Sequence, residues 1–511
     1  FYLEIMMEHV IDLLLEAMNL TRANLIYSGG GHCYILGANT DASEKAISEC
    51  RRMVNGFFLE QFDISLFAAV AAVPCSADEL ANIPDGSYAG LFRELTAKLG
   101  ESKSARYSAA DILRLNQKRH KDNTRECRIC KSSDSLDEEG RCRLCASLEE
   151  FSKQILYKDI FAVVSRKMKG SLVLPGGYYL IALTEEEFRS RMKDDPAYVR
   201  SYSKNRLFSG LGESTRLWVG DYTQKNMTTD DYAKEATGIS RIAVLRADVD
   251  NLGRAFVSGF RPEETTLSRT AAFSRMLSLF FKHHINSVLR NPEYGMCGTP
   301  DSFRKATIVY SGGDDVFLVG SWNDVIEFSV DLRDRLEEFS QGTLSVSAGI
   351  GVYTARYPIS VSAQEVARLE DASKSYPDAK APAKNAVTVF GKGQTYSWDE
   401  WKSKVTGEKL KLLADFLGQF HERGNAFLYH LLDLIRGMDD RINLARFAYV
   451  LTRLEPEGEE QKARRDAYRS FVRTMYEWVQ NTKDRRELVT AIYLYVYLNR
   501  KKEEENREAG E

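Results

Sequence analysis

The sequence predicts a multidomain α+β chain, and three observations carry the prediction. One strand–turn–strand unit occurs twice, a tight four-cysteine cluster lies between the copies, and the C-terminal stretch is helical. At 511 residues the chain exceeds one ordinary domain and has room for several. A composition of 43% hydrophobic and 28% charged residues excludes a disordered chain. The 70 Lys and Arg nearly balance 73 Asp and Glu, which excludes a binder with a globally basic surface but not one with local basic patches. No apolar run approaches the roughly 20 residues a helix needs to span a bilayer, so no membrane partner is expected.

The first element is a helix, with Tyr2, Leu3, Ile5, Met6, Val10, Leu13, Leu14 and Ala17 recurring at helical spacing. Next comes Ala23-Asn-Leu-Ile-Tyr-Ser-Gly-Gly-Gly-His-Cys-Tyr-Ile-Leu-Gly37, whose counterpart is Ala306-Thr-Ile-Val-Tyr-Ser-Gly-Gly-Asp-Asp-Val-Phe-Leu-Val-Gly320. Each is β-rich and broken by Ser-Gly-Gly, the pattern of a hairpin. A second match lies at nearly the same offset, Ser65–Pro74 against Ser345–Thr354, both expected to be strands. Two matches in one order argue for one fold used twice. The second copy has an earlier strand, Arg241-Ile-Ala-Val-Leu-Arg-Ala-Asp-Val-Asp250. Its counterpart in the first copy would precede Phe1, so the chain is expected to begin inside its first repeat.

Asp248 and Asp250 end that early strand, and Asp314 and Asp315 sit at the tip of the second hairpin. If the strands are neighbours, these carboxylates converge at one end of a sheet, where they suit Mg²⁺ or Mn²⁺ and substrate phosphates. Gathered without a cation they would repel, so the arrangement needs a metal or strong exposure. Gly312 and Gly313 permit the tight turn and a close approach of phosphate to the backbone. Gly-Gly-Asp-Asp alone fits a solvated turn equally well. The Asp-x-Asp strand end, the apolar flanks and the later Lys384-Asn385 favour the metal site. The first copy has Gly31 and His32 in place of the two carboxylates, and keeps the turn without the metal chemistry. His32 suits a structural or nucleotide-contacting role better than a metal ligand.

Cys127-x2-Cys130 and Cys142-x2-Cys145 are separated by eleven residues. Two such knuckles offer four thiolates to a tetrahedral Zn²⁺ and leave no open position, so the site is structural. A redox dithiol needs only one pair. Cys33, Cys50, Cys75 and Cys297 show no ligand spacing and are ordinary thiols. Clustered cysteines without a disulfide framework fit a reducing compartment. Arg114, Lys118, Arg119, Lys121, Arg125 and Arg128 crowd the approach to the ribbon, either as a solvated helix face or as a contact for RNA phosphate or an acidic subunit.

Beyond residue 407 the pattern turns helical. Leu410, Leu413, Phe416, Leu417 and Phe420 form one apolar stripe, and Phe427, Leu431, Leu432 and Ile435 another. Phe471–Trp478 and Leu488–Leu498 add two more, as in a helical bundle. The charged end Lys501–Glu511 is expected to fray.

Strand–Asp, helix, Gly-Gly-Asp-Asp hairpin and Ser347-Ala-Gly-Ile-Gly351 together resemble the palm of GGDEF-type nucleotide cyclases and polymerases. Ala363–Lys374 followed by Lys384-Asn-Ala-Val-Thr-Val-Phe390 is similar to its closing part. Two palms, the first degenerate, with a four-cysteine insert between them resemble the large subunit of type III CRISPR effector complexes, closest to subtype A. That resemblance covers essentially the whole chain. It implies two ferredoxin-like palm domains, at 1–113 (N-terminally incomplete) and 237–402, a linker domain with a zinc ribbon at 114–236, and a helical domain at 403–511. It further implies a cytoplasmic cyclic-oligoadenylate synthase with ATP as substrate. Asp248, Asp314 and Asp315 would be catalytic, and these three together with Asp250 would hold Mg²⁺ or Mn²⁺. Ser28, Gly29, Gly30, Ser311, Gly312, Gly313, Lys384 and Asn385 would contact nucleotide, and Cys127, Cys130, Cys142 and Cys145 would hold Zn²⁺. The implied partners are the stem subunit that binds the guide 5′ tag, the small helical subunit, guide RNA and target RNA. Family members often begin with a nuclease domain bearing a His-Asp pair. None of the seven histidines here is followed by Asp, so cleavage of single-stranded DNA by that domain is not expected. Two other readings stay open. One is a nucleotide-binding scaffold without turnover, and the other a GGDEF-type dinucleotide cyclase, which pairs two active palms from separate chains.

Overall fold

A computed structural model describes residues 1–29, 31–117, 125–133, 136–192, 194–206, 214–224, 226–261, 264–296, 298–377, 383–418, 426–455 and 462–500. Gly30, Lys118, Arg119, Lys121, Cys297, Phe420 and Lys501–Glu511 lie outside them. The chain forms two compact units, Phe1–Val219 with Asn251–Leu279, and Gly220–Asp250 with Phe280–Glu511.

In the first unit the opening helix spans Tyr2–Ala17, as its periodicity predicts. Strands β1 (Leu25–Gly29) and β2 (His32–Ile35) form the first hairpin, with Ser28 opposite Cys33 and Gly29 opposite His32. The strand expected at Ser65–Pro74 is not formed. The segment joins no ladder among the described strands. Instead the Asn55 side chain accepts from the Ala68 N–H at 2.8 Å and donates to the Ala68 carbonyl at 3.0 Å. A five-stranded sheet that the sequence reading did not foresee follows the cysteine cluster. Its strands are β3 (Ile160–Val164), β4 (Leu172–Leu174), β5 (Tyr178–Leu183), β6 (Tyr198–Lys204) and β7 (Ser214–Leu217), ordered β4-β5-β3-β6-β7. Central β3, Ile-Phe-Ala-Val-Val, is buried at every position, as a short continuous apolar run should be. Tyr2, Ile5 and Met6 of the opening helix pack into the core with Phe161, Val163 and Leu180.

The second unit is built on β8 (Ile242–Val249), β9 (Ala306–Ser311), β10 (Asp315–Ser321), β11 (Val346–Tyr353), β12 (Ala386–Val389) and β13 (Thr395–Ser397). They lie in the order β13-β12-β11-β8-β10-β9, with β8 antiparallel to both β10 and β11. The helices Trp322–Phe339 and Ile359–Lys374 bury Trp322, Val325, Ile326, Phe328 and Val366. A Cβ on Gly349 of β11 would collide with the backbone at Glu370, so the second of these helices approaches the sheet through a glycine.

A π-helix, Trp401–Leu410, leads out of the sheet, and Lys409 on it is fully buried, 2.9 Å from Asp484 and 2.7 Å from Glu487. The predicted bundle follows as Lys411–Leu417, Ala426–Arg436, Arg441–Thr452, Lys462–Gln480 and Thr482–Asn499. Its predicted stripes point inward, with Leu413, Phe416, Leu431, Leu432, Ile435, Phe471 and Leu488 all buried. Just before β8, the Ile239 N–H donates to the Tyr497 carbonyl at 2.8 Å. No described helix is long and apolar enough to cross a membrane.

Candidate metal and nucleotide site

The register of β8 and β10 sets Asp315 opposite Asp248, and the Asp314 carbonyl accepts from the Val249 N–H at 3.1 Å. Neighbouring strands thus bring Asp248, Asp314 and Asp315 to one end of the sheet. The Gly312 N–H closes the turn by donating to the Asp315 carbonyl at 2.8 Å. A Cβ there would run into the Asp315 carboxylate and the Tyr310 hydroxyl, so any other residue would displace both side chains. Gly313 is buried beside it.

Burial pushes Asp314 up to about 6, reinforced by repulsion from Asp248 and Asp315 and opposed by Lys374. Burial and Asp248 also raise Asp315, against a hydrogen bond from Tyr310 and the charge of Arg246. Asp315 Oδ1 is buried with no hydrogen-bond partner among the described residues. Carboxylate oxygens are the donors that a hard divalent cation takes, so Asp248, Asp314 and Asp315 suit Mg²⁺ or Mn²⁺ in donor chemistry, whereas among the described residues only the four cysteines below form a closed ligand set.

Three residues that sequence reading missed complete the electrostatics. Lys374 Nζ lies 2.5 Å from Asp248 Oδ2 and 2.6 Å from Glu370 Oε1, and Arg246 Nε holds the other Glu370 oxygen at 2.7 Å. Faint signals existed. Glu370 and Lys374 are four apart on one helix, and Arg246 is two residues before Asp248 on one strand face.

Asp250 is buried, and both its oxygens are engaged within the fold. Oδ1 accepts from Ser347 Oγ at 2.8 Å, while Oδ2 accepts from Ser345 Oγ at 2.8 Å and from the Asn385 N–H at 2.9 Å. It braces the strand end that carries Asp248. Lys384 and Asn385 form the turn before β12. Ser311 Oγ donates to the Phe281 carbonyl. In the first unit, Ser28 Oγ donates to Glu8 Oε1 at 3.2 Å, Gly29 is buried and His32 is exposed.

The sulfurs of Cys127, Cys130, Cys142 and Cys145 all lie within 4.8 Å of one another. Cys130 and Cys142 are 3.7 Å apart, close to the edge of about 3.8 Å expected for a tetrahedron with Zn–S bonds of about 2.3 Å. The set fits Zn²⁺. Of the basic approach, Arg114, Arg125 and Arg128 are described and exposed, and Arg128 pairs with Glu139 at 3.3 Å.

Family models match in sequence order: Csm1 subunit domain B over residues 1–118, the second palm domain of Cas10/Cmr2 over 241–388, and the second helical domain of the CRISPR RNA silencing complex Cmr2 subunit over 414–501. A relative from Mycobacterium tuberculosis, the CRISPR system single-strand-specific deoxyribonuclease Cas10/Csm1 (subtype III-A), is 44% identical across 99% of the chain. One of the same name from Enterococcus italicus is 34% identical across 97%. The chain spans 64% and 62% of their lengths, less than two thirds. A solved Csm1–Csm4 cassette in complex with cA4 has the same fold, with a TM-score of 0.73 at 22% identity over 98% of this chain and 66% of that one. With a palm sheet carrying the acidic centre, a helical domain after it in sequence and 99% of its own length matched by a relative 44% identical, the chain belongs to the Cas10/Csm1 family of subtype III-A.

Proposed function

We propose that the chain is a nucleotidyltransferase that converts ATP to 3′–5′-linked cyclic oligoadenylate in a cytoplasmic type III-A complex when target RNA is bound. The observation that carries the proposal is the Asp248–Asp314–Asp315 set with Lys374 beside it. Cassettes of the same fold in complex with one ATP, pppApApA, cA3 and cA4 support the substrate and the product.

Asp248, Asp314 and Asp315 would hold two Mg²⁺ or Mn²⁺ ions. When bound, these ions lower the pKa of the attacking ribose hydroxyl and offset charge on the leaving pyrophosphate. Lys374 offsets the charge of Asp248, and Glu370 holds its ammonium where it would also meet the triphosphate. Lys384 is a second compact cation for phosphate. Gly312 and Gly313 let the phosphates approach the backbone. Ser311 and Asn385 contact one nucleotide, and Ser28, Gly29 and Gly30 contact a second ATP held by the altered palm. The 3′ oxygen bonds to the α-phosphorus, the bond to pyrophosphate breaks, and the hydroxyl proton leaves to solvent. Repetition followed by ring closure gives the product.

The domains are two ferredoxin-like palms at 1–113 and 237–402, a linker domain at 114–236 whose ribbon is held by Zn²⁺, and a helical domain at 403–511. Partners are the stem subunit that binds the guide 5′ tag, the small helical subunit, guide RNA and target RNA. The deoxyribonuclease named for the relatives is an activity of those proteins, and the proposal concerns the acidic centre.

The test is pyrophosphate release and product mass from the assembled complex given ATP, Mg²⁺ and target RNA. Adenylate rings that depend on the target are expected. ATP binding without pyrophosphate release in a target-bound complex would leave a scaffold, and a cyclic dinucleotide product would favour the dinucleotide cyclase.

A further inference from the structure

A run of polar contacts ties the strand end that carries Asp248 to the last described helix through Tyr376 and Glu400, two residues that the chemistry above does not use. Asn385 stands at its inner end. Its N–H donates to Asp250 Oδ2 at 2.9 Å, and its carbonyl accepts from the Trp398 N–H at 3.4 Å. Lys384 and Asn385 both have left-handed backbones, with φ of +57° and +49°. A lysine resists that region, and two such residues in succession persist only where the surroundings enforce them.

Those surroundings are specific. The Lys384 N–H donates to the Tyr376 carbonyl at 3.1 Å, and the Tyr376 hydroxyl donates to Glu400 Oε2 at 2.7 Å. The same Glu400 oxygen accepts from the Ser397 N–H at 3.1 Å, at the end of β13. Glu400 Oε1 pairs with Lys483 Nζ at 2.5 Å. The Arg486 guanidinium lies over the rings of Tyr376 and Tyr396, 5.8 and 4.8 Å from their centroids, and Nη2 donates to the Tyr376 hydroxyl at 3.4 Å. Lys483 and Arg486 belong to the helix Thr482–Asn499. Each link is thus a named donor and acceptor, from that helix to Asp250.

We propose that Tyr376 and Glu400 are positioning residues for the metal centre. They hold the strained Lys384–Asn385 turn, that turn aims the amide that fixes Asp250, and Asp250 fixes the strand end bearing Asp248. The inference rests on the reading of Asp248, Asp314 and Asp315 as a metal site. It makes the helix Thr482–Asn499 part of what sets the geometry of that site, although no residue of the helix enters it.

The test uses Tyr376→Phe, which removes one hydroxyl and keeps the ring under Arg486, together with Glu400→Gln and Lys483→Met, in the full chain within the assembled complex. Two readouts are taken, amide hydrogen exchange in peptides covering 383–389 and the Mn²⁺ dependence of binding and pyrophosphate release. Faster exchange at Asn385 is expected in Tyr376→Phe and Glu400→Gln, with the Mn²⁺ half-saturation raised about 2- to 10-fold, the effect of one lost hydrogen bond. Because Tyr376 and Glu400 form one link, the double variant should go no further than the stronger single variant. Parental exchange and parental Mn²⁺ dependence in folded Tyr376→Phe overturn the inference and leave the metal reading standing. If the parent itself binds no Mn²⁺ that Asp314→Asn removes, the metal reading falls and this inference falls with it.

Discussion

The two hairpins carry nearly the same turn and differ in what stands beside them. In the second, β10 runs along β8, so the turn carboxylates face Asp248 across one ladder, with Lys374 reaching the same point from a helix. In the first, β1 and β2 pair only with each other among the described residues, Gly31 takes φ of +75° and His32 is exposed. The neighbouring strand is thus what gives the Gly-Gly-Asp-Asp turn a third carboxylate. Crowding three carboxylates is costly, and only a sheet that fixes all three backbones can hold them together for a cation to repay.

Replacing both turn carboxylates, Asp314→Asn with Asp315→Asn, should have the largest effect. Pyrophosphate release drops below detection, while the metal-free melting temperature does not fall, because the change relieves like-charge repulsion. Release within about tenfold of the parent would dissolve the contrast between the hairpins. Lys374→Met comes next, lowering release by about 10²-fold, the scale of losing one preorganised charge contact. Lys384→Ala should cost less in the same steady-state assay, and the reverse ranking would give the triphosphate mainly to Lys384. Cys130→Ser acts on the first unit alone. Atomic emission should show bound zinc falling from about one per chain toward none, with Mn²⁺ binding at the acidic centre retained. The smallest effect is expected from rebuilding the first turn, Gly31→Asp with His32→Asp, in the 511-residue chain. Titration followed by electron paramagnetic resonance should show no added Mn²⁺ site, since no described strand sets a counterpart of Asp248 opposite that turn. A new site there would mean that the turn suffices.

The acidic centre was legible because both halves of it are local. An Asp-x-Asp strand end and a Gly-Gly-Asp-Asp hairpin each announce themselves, and apolar flanks predict that the strands are neighbours. The Lys374–Asp248 pair joins residues 126 apart, and nothing near either one names the other. Asp250 shows the limit of the alternation rule. Two residues after Asp248 it belongs on the same strand face, but β8 ends at Val249 and the side chain turns to Ser345 and Ser347. Ser65–Pro74 has the composition of a strand and forms none, because a strand is defined by its partners and Asn55 has taken the place of one. The sheet around β3 went unforeseen for a related reason. Ile160–Val164 is visibly apolar and Pro175-Gly176-Gly177 marks the turn between β4 and β5, yet no motif ties β3 to its other partner, β6, across the helical segment between them.

Lys409 has a consequence for how the chain is made. Its partner Asp484 lies 75 residues downstream, and at roughly 5–20 residues per second a ribosome needs about 4–15 s to deliver it. Ile239, just ahead of β8, waits longer still for the Tyr497 carbonyl. During that interval the nascent sheet has an open flank and a lysine with no buried counter-charge, a state suited to capture by chaperones. A message truncated before its final helix would thus yield a protein in which every aspartate of the centre has been translated and the unit around them has not closed.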